Sequence, residues 1–525
     1  MSTTHENYVR QLLAHFDADP DRAAVVSGGV TLTTGELAEA TRRAGAVMRG
    51  QGVGRGDVVG ILTEPNTPAT LILRWAANLL GATAAHVRGM NAVSPDDELR
   101  LELQRAIVAE VGARVLAVDA ANAGRARELL AAGTGGPVLA VYGPAGPDTV
   151  DLTAESGSGS VEDLDSSAFA DEDLAVITQT SGSTGHPKGV CWPFAVKNEM
   201  ATSARTRSAD AHLLITAPLT HSSGFGADDT LFTGGVVILH PGFDPGAVLR
   251  AVAEHGVTRL ILGTPQVYAL ATHPDRPGTD LSSLSELIYT GSHAAPLRLR
   301  EALEIFGPVL MQVYGTTETG VLTMLFPGDH HDLRLCGTVG RPLNPDAVSV
   351  RDPDTGVALP AGEVGEVCAV PRWAMAGYWH EPELTAQATR DGWTRTGDLG
   401  HLDDDGYLHL TGRLSDVMKV KGILIHPAAV ERVLSEAPGV SQAAVCGVED
   451  ADRVERIYAA VVARPGTVVD LDDLRRHVSG ALSDNHVPSV IEICQELPVI
   501  GPGKPDRARL RTQARAAFGR DVSRV

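Results

Sequence analysis

The chain has 525 residues, of which 43% are apolar, 21% charged and 4% aromatic, and it carries a net charge of −21. That length exceeds what one hydrophobic core organises and predicts about three units of ~150 residues each. The acidic balance argues against nucleic acid and anionic membranes as partners, because it repels phosphates at long range, but it leaves room for a nucleotide pocket whose field is set by local loops.

The opening MSTTHENYVRQLLAHFDADP shows no basic stretch followed by an apolar run, so no secretory signal is expected and the expected location is cytoplasmic. Short β-branched apolar runs then alternate with Ala/Leu/Arg-rich stretches through the first ~400 residues, the pattern of α/β architecture. Residues 58–62 are predicted as strand, 68–80 and 99–111 as helices, and 115–119 as strand. The apolar run 70–85 is broken by Arg74 and Asn78, which makes it a poor candidate for crossing a bilayer. The Gly/Pro/Ser-rich segment 133–167 reads as a surface excursion. Five scattered cysteines with no Cys-x-x-Cys pair read as reduced core thiols, with no metal or disulfide framework implied. Past 407–410 a polar break, Gly412-Arg413-Leu414-Ser415-Asp416, precedes a small mixed unit. It holds a helix from His426, strands at 442–448 and 457–463, and a helix near 471–482.

Only five of the 44 basic residues are lysines: Lys188, Lys197, Lys419, Lys421 and Lys504. In a chain that otherwise uses arginine, a surviving lysine marks places where a compact, flexible point charge suits better than a planar fork. Four of the five lie in motifs. The first motif follows the apolar strand at 174–178: Thr180-Ser181-Gly182-Ser183-Thr184-Gly185-His186-Pro187-Lys188-Gly189. Its glycines let the backbone turn and present N–H groups, its hydroxyls add donors and Lys188 adds positive charge, all of which suit a polyphosphate. The Gly-Lys-Ser/Thr core of a Walker loop is absent.

This loop resembles the signature of the adenylate-forming superfamily: acyl- and aryl-CoA synthetases, luciferase-like enzymes and peptide-synthetase adenylation domains. The resemblance runs from about Val25 to Arg509 with further motifs in the expected order. It implies a large N-terminal domain (1–413) of stacked α/β subdomains plus a β-barrel-like part, and a small, mobile α+β C-terminal domain (414–525), with the active site between them. Ala217-Pro218-Leu219-Thr220-His221 resembles the motif whose histidine lines the acyl pocket. Gly291-Ser292-His293 matches the adenine-contacting loop, with His293 where a small residue is common. In Val313-Tyr314-Gly315-Thr316-Thr317-Glu318 the resemblance implies that Tyr314 stacks on adenine, Thr317 touches the α-phosphate and Glu318 helps hold Mg²⁺. Asp398 would accept the ribose hydroxyls and Arg413 would contact ribose and phosphate. The family's pivot stands two residues past that arginine, usually as Asp or Lys; here it is Ser415, a departure that leaves the pivot's identity open. Lys419-Val420-Lys421-Gly422 resembles the loop that replaces the adenylation lysine after the domain turns, and Lys504 matches the catalytic lysine of the C-terminal Gly-Lys motif.

The reaction so implied is attack of a substrate carboxylate on the α-phosphate of Mg·ATP, giving acyl-AMP and pyrophosphate, followed by transfer to a nucleophile. CoA is the first choice of acceptor. A carrier protein, or a non-thiol acceptor such as an amine or nitrite in a bacterial biosynthetic pathway, stays open. The acid is not named by the sequence. The pocket candidates His221, Phe225, Ser292, His293, Val313, Thr316 and Leu322 suit an aryl or medium-length acyl group.

Overall fold

Apolar strands of two to ten residues, alternating with helices, build two compact units in the computed structural model. It describes residues 6–522 apart from 88–98, 132–135, 145, 147, 155–168, 181–187, 205–210, 293, 421–422, 450–453 and 501–503. The first unit takes Met1–Ile261, Gly278–Ser285 and Trp373–Gln387; the second takes Leu262–Pro277, Glu286–Arg372 and Ala388–Val525.

An eight-stranded sheet organises the first unit, in the order Gly377–Tyr378, Lys188–Pro193, Leu174–Thr180, Thr83–His86, Val58–Leu62, Val115–Asp119, Val138–Tyr142, Val150–Asp151. Its strands from Leu174–Thr180 to Val150–Asp151 pair in parallel, and such strands are covered on both faces and read as continuous apolar runs. All five residues of Val58–Leu62 are buried. The helix Pro68–Leu79 starts on a proline at its first turn and is buried on every side from Ala69 onward. Arg74 and Asn78, which interrupt its apolar run, are therefore core residues, 2% and 0% exposed. A second sheet in this unit runs Val30–Thr33, Ala23–Ser27, Val236–Leu239, His212–Ile215, Arg259–Gly263.

One sequence expectation needs correction. Part of the segment 133–167 is no excursion, because Val138–Tyr142 joins the sheet parallel to Val115–Asp119 and buries Leu139, Ala140 and Val141. Five consecutive β-compatible apolar residues outweigh the glycines and prolines around them.

In the second unit, Glu286–Thr290 and Leu310–Thr316 pair in parallel, and Gly320–Leu325 and Arg341–Pro342 continue antiparallel. A five-stranded antiparallel sheet of Val348–Arg351, Gly365–Ala369, Trp393–Leu402, Thr389–Arg390 and Leu408–Arg413 follows, matching the part expected to be barrel-like. Past residue 417 the chain has cores of its own. One gathers Met418, Ile425, Val433, Ile457 and Val478; the other packs Cys446 and Tyr458 against Leu510 and Ala514 of the C-terminal helix Arg507–Val522. No helix among the described residues is long and apolar enough to cross a membrane.

Candidate active site

In the first unit the phosphate-loop motif is held by a hairpin. Leu174–Thr180 and Lys188–Pro193 pair antiparallel, with Thr180 opposite Lys188 and Gln179 opposite Gly189. The Thr180 hydroxyl donates to the Lys188 carbonyl at 3.3 Å, so the hairpin closes at the mouth of the loop. Ser181, Gly182, Ser183, Thr184 and Gly185 lie outside the described residues. The Lys188 ammonium sits 5.5 Å from the centre of the Tyr378 ring.

His221 reaches this hairpin. Its Nε2 lies 3.1 Å from the Gln179 carbonyl oxygen and its Nδ1 2.8 Å from the Thr220 hydroxyl. A carbonyl can only accept, so Nε2 carries the proton and Nδ1 accepts from Thr220. Desolvation pushes the His221 pKa down to about 4, so the ring is neutral at ordinary pH. Three residues on, Gly224 tolerates no side chain, because a Cβ there would lie 2.1 Å from the Leu219 carbonyl oxygen. Phe225 packs half-buried, edge-on to Trp192 with ring centres 5.4 Å apart.

The second unit gathers the nucleotide motifs. Tyr314, 9% exposed, donates its hydroxyl to Asp398 Oδ2 at 2.9 Å, while Arg413 Nε lies 2.7 Å from Asp398 Oδ1. Asp398 and Arg413 stand opposite one another on paired strands, which is why fifteen residues of sequence separation bring them into contact. Each carboxylate oxygen keeps a further lone pair for an incoming hydroxyl. Burial, and then the Asp398 charge, hold the Tyr314 phenol well above its ordinary pKa. Gly315 is sterically fixed, since a Cβ would lie 1.8 Å from the Gly320 carbonyl oxygen. Thr316 accepts the turn that follows: its backbone N–H donates to Thr319 Oγ1 at 3.1 Å, with the two hydroxyls 3.2 Å apart. Val313, Thr316, Thr317 and Glu318 are half-buried, whereas Leu322 is 4% exposed and packs in a cluster with Tyr314, Val339 and Val348.

Gly291 has φ +91°, and the Ser292 carbonyl accepts from Thr264 Oγ1 at 3.0 Å; His293 lies outside the described residues. Ser415 is exposed in the single turn Leu414–Asp416. Lys419 is exposed, its N–H donating to Glu455 at 2.7 Å, and Lys421 and Gly422 lie outside the described residues. Lys504 stands on the short strand Lys504–Pro505, paired with Val499–Ile500 and leading into the C-terminal helix. Among the described residues no group of three or more His, Cys, Asp or Glu could hold a metal.

Sequence reasoning missed one cluster. Asp228 accepts from Arg74 at 2.5 Å, Lys197 at 2.7 Å and Trp75 Nε1 at 2.9 Å, all of them buried. The signal was present: Lys197 is the one lysine outside any motif, and Arg74 interrupts an apolar helix.

Comparison with known proteins agrees with this geometry. The family model for the AMP-binding enzyme matches residues 13–379, and that for the AMP-binding enzyme C-terminal domain matches 429–504. A feruloyl-CoA synthase from Amycolatopsis is 36% identical over 515 residues, covering 95% of this chain and 96% of its own. A medium/long-chain-fatty-acid–CoA ligase from Mycobacterium tuberculosis is 30% identical over 537 residues, covering 99% and 92%. The solved amide bond synthetase McbA from Marinactinospora thermotolerans superimposes with a TM-score of 0.84 at 35% identity, covering 96% and 99%. The chain belongs to the adenylate-forming superfamily of AMP-binding enzymes and is an AMP-forming ligase.

Proposed function

We propose that this enzyme activates an aryl or medium-length carboxylic acid as its acyl-adenylate and passes the acyl group to the thiol of CoA. The observation that carries the nucleotide half is Asp398, held by Tyr314 and Arg413 with lone pairs left for ribose hydroxyls. The similarity to CoA ligases for feruloyl and fatty acyl groups supports the thiol acceptor and the acid class.

ATP supplies the phosphorus that is attacked; Glu318 would help hold Mg²⁺, which would neutralise charge on the phosphate oxygens. Little covalent work falls to the protein, so positioning and electrostatics carry the rate. In this reading Lys188 and the loop hydroxyls hold the phosphates, and Tyr314 and the Gly291–Ser292 turn take the base. Neutral His221 lines the acyl pocket with Phe225. Lys504 brings an ammonium to the carboxylate and α-phosphate oxygens as charge builds up. The segment after Arg413 turns about Ser415 as a domain of residues 414–525, which withdraws Lys504 and brings up Lys419, Lys421 and Gly422 for the transfer step.

The similarity to an amide bond synthetase at 35% identity favours a second reading, in which an amine takes the acyl group. Substrate-dependent pyrophosphate exchange over a panel of carboxylic acids tests the first step. The best acid is then offered with CoA, an amine or neither, and the product is identified by mass. Acyl-CoA is expected. Amide with no thioester would replace the first reading by the second, and exchange with no acid at all would overturn both.

A further inference from the structure

Behind His221 and Phe225 stands a group of buried polar atoms that the adenylation chemistry does not use. His86 ends the strand Thr83–His86, paired with Ile61 and two residues beyond Ala84. It therefore faces the same side of the sheet as Ala84, Ile61, Val176 and Trp192, the side against which Phe225 packs. The carboxyl end of a parallel strand is where open α/β sheets bind ligands.

His86 is 2% exposed, and neither of its ring nitrogens has a hydrogen-bond partner among the described residues. Among the described residues, Trp192, 3% exposed, finds no acceptor for its indole N–H, and Arg74 finds none for Nε. A neutral imidazole always carries one N–H, so these are three buried donors without acceptors, an expensive arrangement that native proteins keep rare. Their surroundings are also one positive charge in excess, because Arg74 and Lys197 share the single carboxylate of Asp228. Lys197 lies over the Phe225 ring at 4.2 Å and over Tyr8 at 5.0 Å, so this excess charge abuts the wall of the acyl pocket. The charges of Arg74 and Lys197 both act on His86.

Resting on the reading that His221 and Phe225 line the acyl pocket, the geometry points to His86 and Trp192, with Lys197 and Arg74 behind them, as its closed end. It points also to an acid whose far end carries a hydrogen-bond-accepting oxygen: hydroxyl, ether, carbonyl or carboxylate. A methyl or hydrogen there leaves the donors unpaired, and sites built for an oxygen reject its deoxy analogue far better than apolar pockets reject an extra group.

The test is pyrophosphate exchange on the full chain with three matched pairs: benzoate and 4-hydroxybenzoate, cinnamate and 4-hydroxycinnamate, octanoate and 8-hydroxyoctanoate. Wild type should favour the oxygenated member of its best pair by about 10⁴-fold in kcat/KM. His86→Phe and Trp192→Phe, which keep an aromatic ring but remove the donors, should each cut that preference about tenfold, through KM rather than kcat. Trp192→Phe removes the N–H and leaves a cavity rather than adding bulk, so it keeps the question answerable if His86→Phe folds poorly. A wild-type enzyme indifferent to the oxygen, or a preference untouched by both variants, would overturn this inference while leaving the adenylation reading intact. Silence towards every acid of the wider panel would overturn the adenylation reading instead, and this one with it.

Discussion

Asp228→Asn is the most informative single perturbation of the first unit. The carboxylate is 7% exposed, and the side chains of Arg74 and Lys197 that grip it are 3% and 2% exposed. Removing its charge leaves two buried cations facing one another, and breaking such a pair costs about 3–5 kcal/mol. The first unit has about 280 residues, and at ~2.1 cal/mol/K per residue its unfolding entropy is ~0.6 kcal/mol/K. The melting temperature should therefore fall by roughly 5–8 °C. The pH dependence carries a definite sign. Burial pushes the Lys197 pKa down to about 8 against the pull of Asp228, so without Asp228 it falls further. Below pH 8 the folded wild type keeps the Lys197 proton while the folded variant has begun to lose it, and both unfolded chains remain protonated. Stability of the variant thus rises with pH relative to wild type up to about pH 8 and runs parallel above it. Thermal unfolding of wild type, Asp228→Asn and the neighbouring control Asp229→Asn at pH 6, 7, 8 and 9 measures this directly. A shift under 2 °C at every pH, or a gap that widens with rising pH, would refute the charge argument.

Lys504→Ala should lower acyl-AMP formation by ~10²–10³, the usual loss when a preorganised charge at the transition state is removed, with little change in ATP affinity. Given presynthesised acyl-AMP the same variant should still transfer the acyl group, and equal damage to both half-reactions would sink the two-conformation mechanism. Glu318→Gln should raise the Mg²⁺ concentration needed for half-maximal adenylation while circular dichroism stays unchanged; an unaltered Mg²⁺ titration speaks against its role. Ser415→Pro fixes φ near −65° and should depress adenylation and transfer very unequally. Equal loss with a lowered melting temperature would mean misfolding, and with an unchanged one a pivot elsewhere.

The sequence was a good guide wherever a local pattern decides the outcome. The strands 58–62 and 115–119 and the helix at 68–80 follow from apolar runs bounded by glycine, proline or polar residues, and they stand within a residue of where they were expected. The strand Val138–Tyr142 was hidden because its flanks are rich in glycine and proline, and only its neighbour Val115–Asp119 gives it a place to pair. Among functional residues, the identities of Tyr314, Asp398 and Arg413 were legible as motif members, but their mutual contacts were not. Those depend on the register that sets Asp398 opposite Arg413 and on a hydrogen bond spanning 84 residues of sequence. The Arg74–Asp228–Lys197 cluster joins residues 154 and 31 apart, and no spacing rule operates over such distances. The one available hint was chemical: a lysine retained where arginine is the habit, and a charge inside an apolar helix.

The same register bears on why a serine can stand where the family usually places Asp or Lys. Arg413 is tied to Asp398 at 2.7 Å, and Asp416, only three residues later, is gripped by Arg507 at 3.1 Å and by Arg511 at 3.0 Å. Arg507 also pairs with Glu431 and donates to the Val445 carbonyl, which fixes the C-terminal helix against the strand and helix of the last segment. That helix begins three residues after Lys504, so Asp416, through Arg507, is coupled to the strand on which the lysine sits. Between the two anchors only Leu414, Ser415 and the peptide bonds beside them remain, and both side chains are exposed. A pivot confined to so short a stretch needs no particular side chain, only backbone torsions that neither burial nor pairing restrains. In the proposed reading, the position would not tolerate a residue that locks φ. On the same reading, a serine suffices as the pivot because the turn is anchored on either side, by Arg413 on Asp398 and by Asp416 on Arg507 and Arg511.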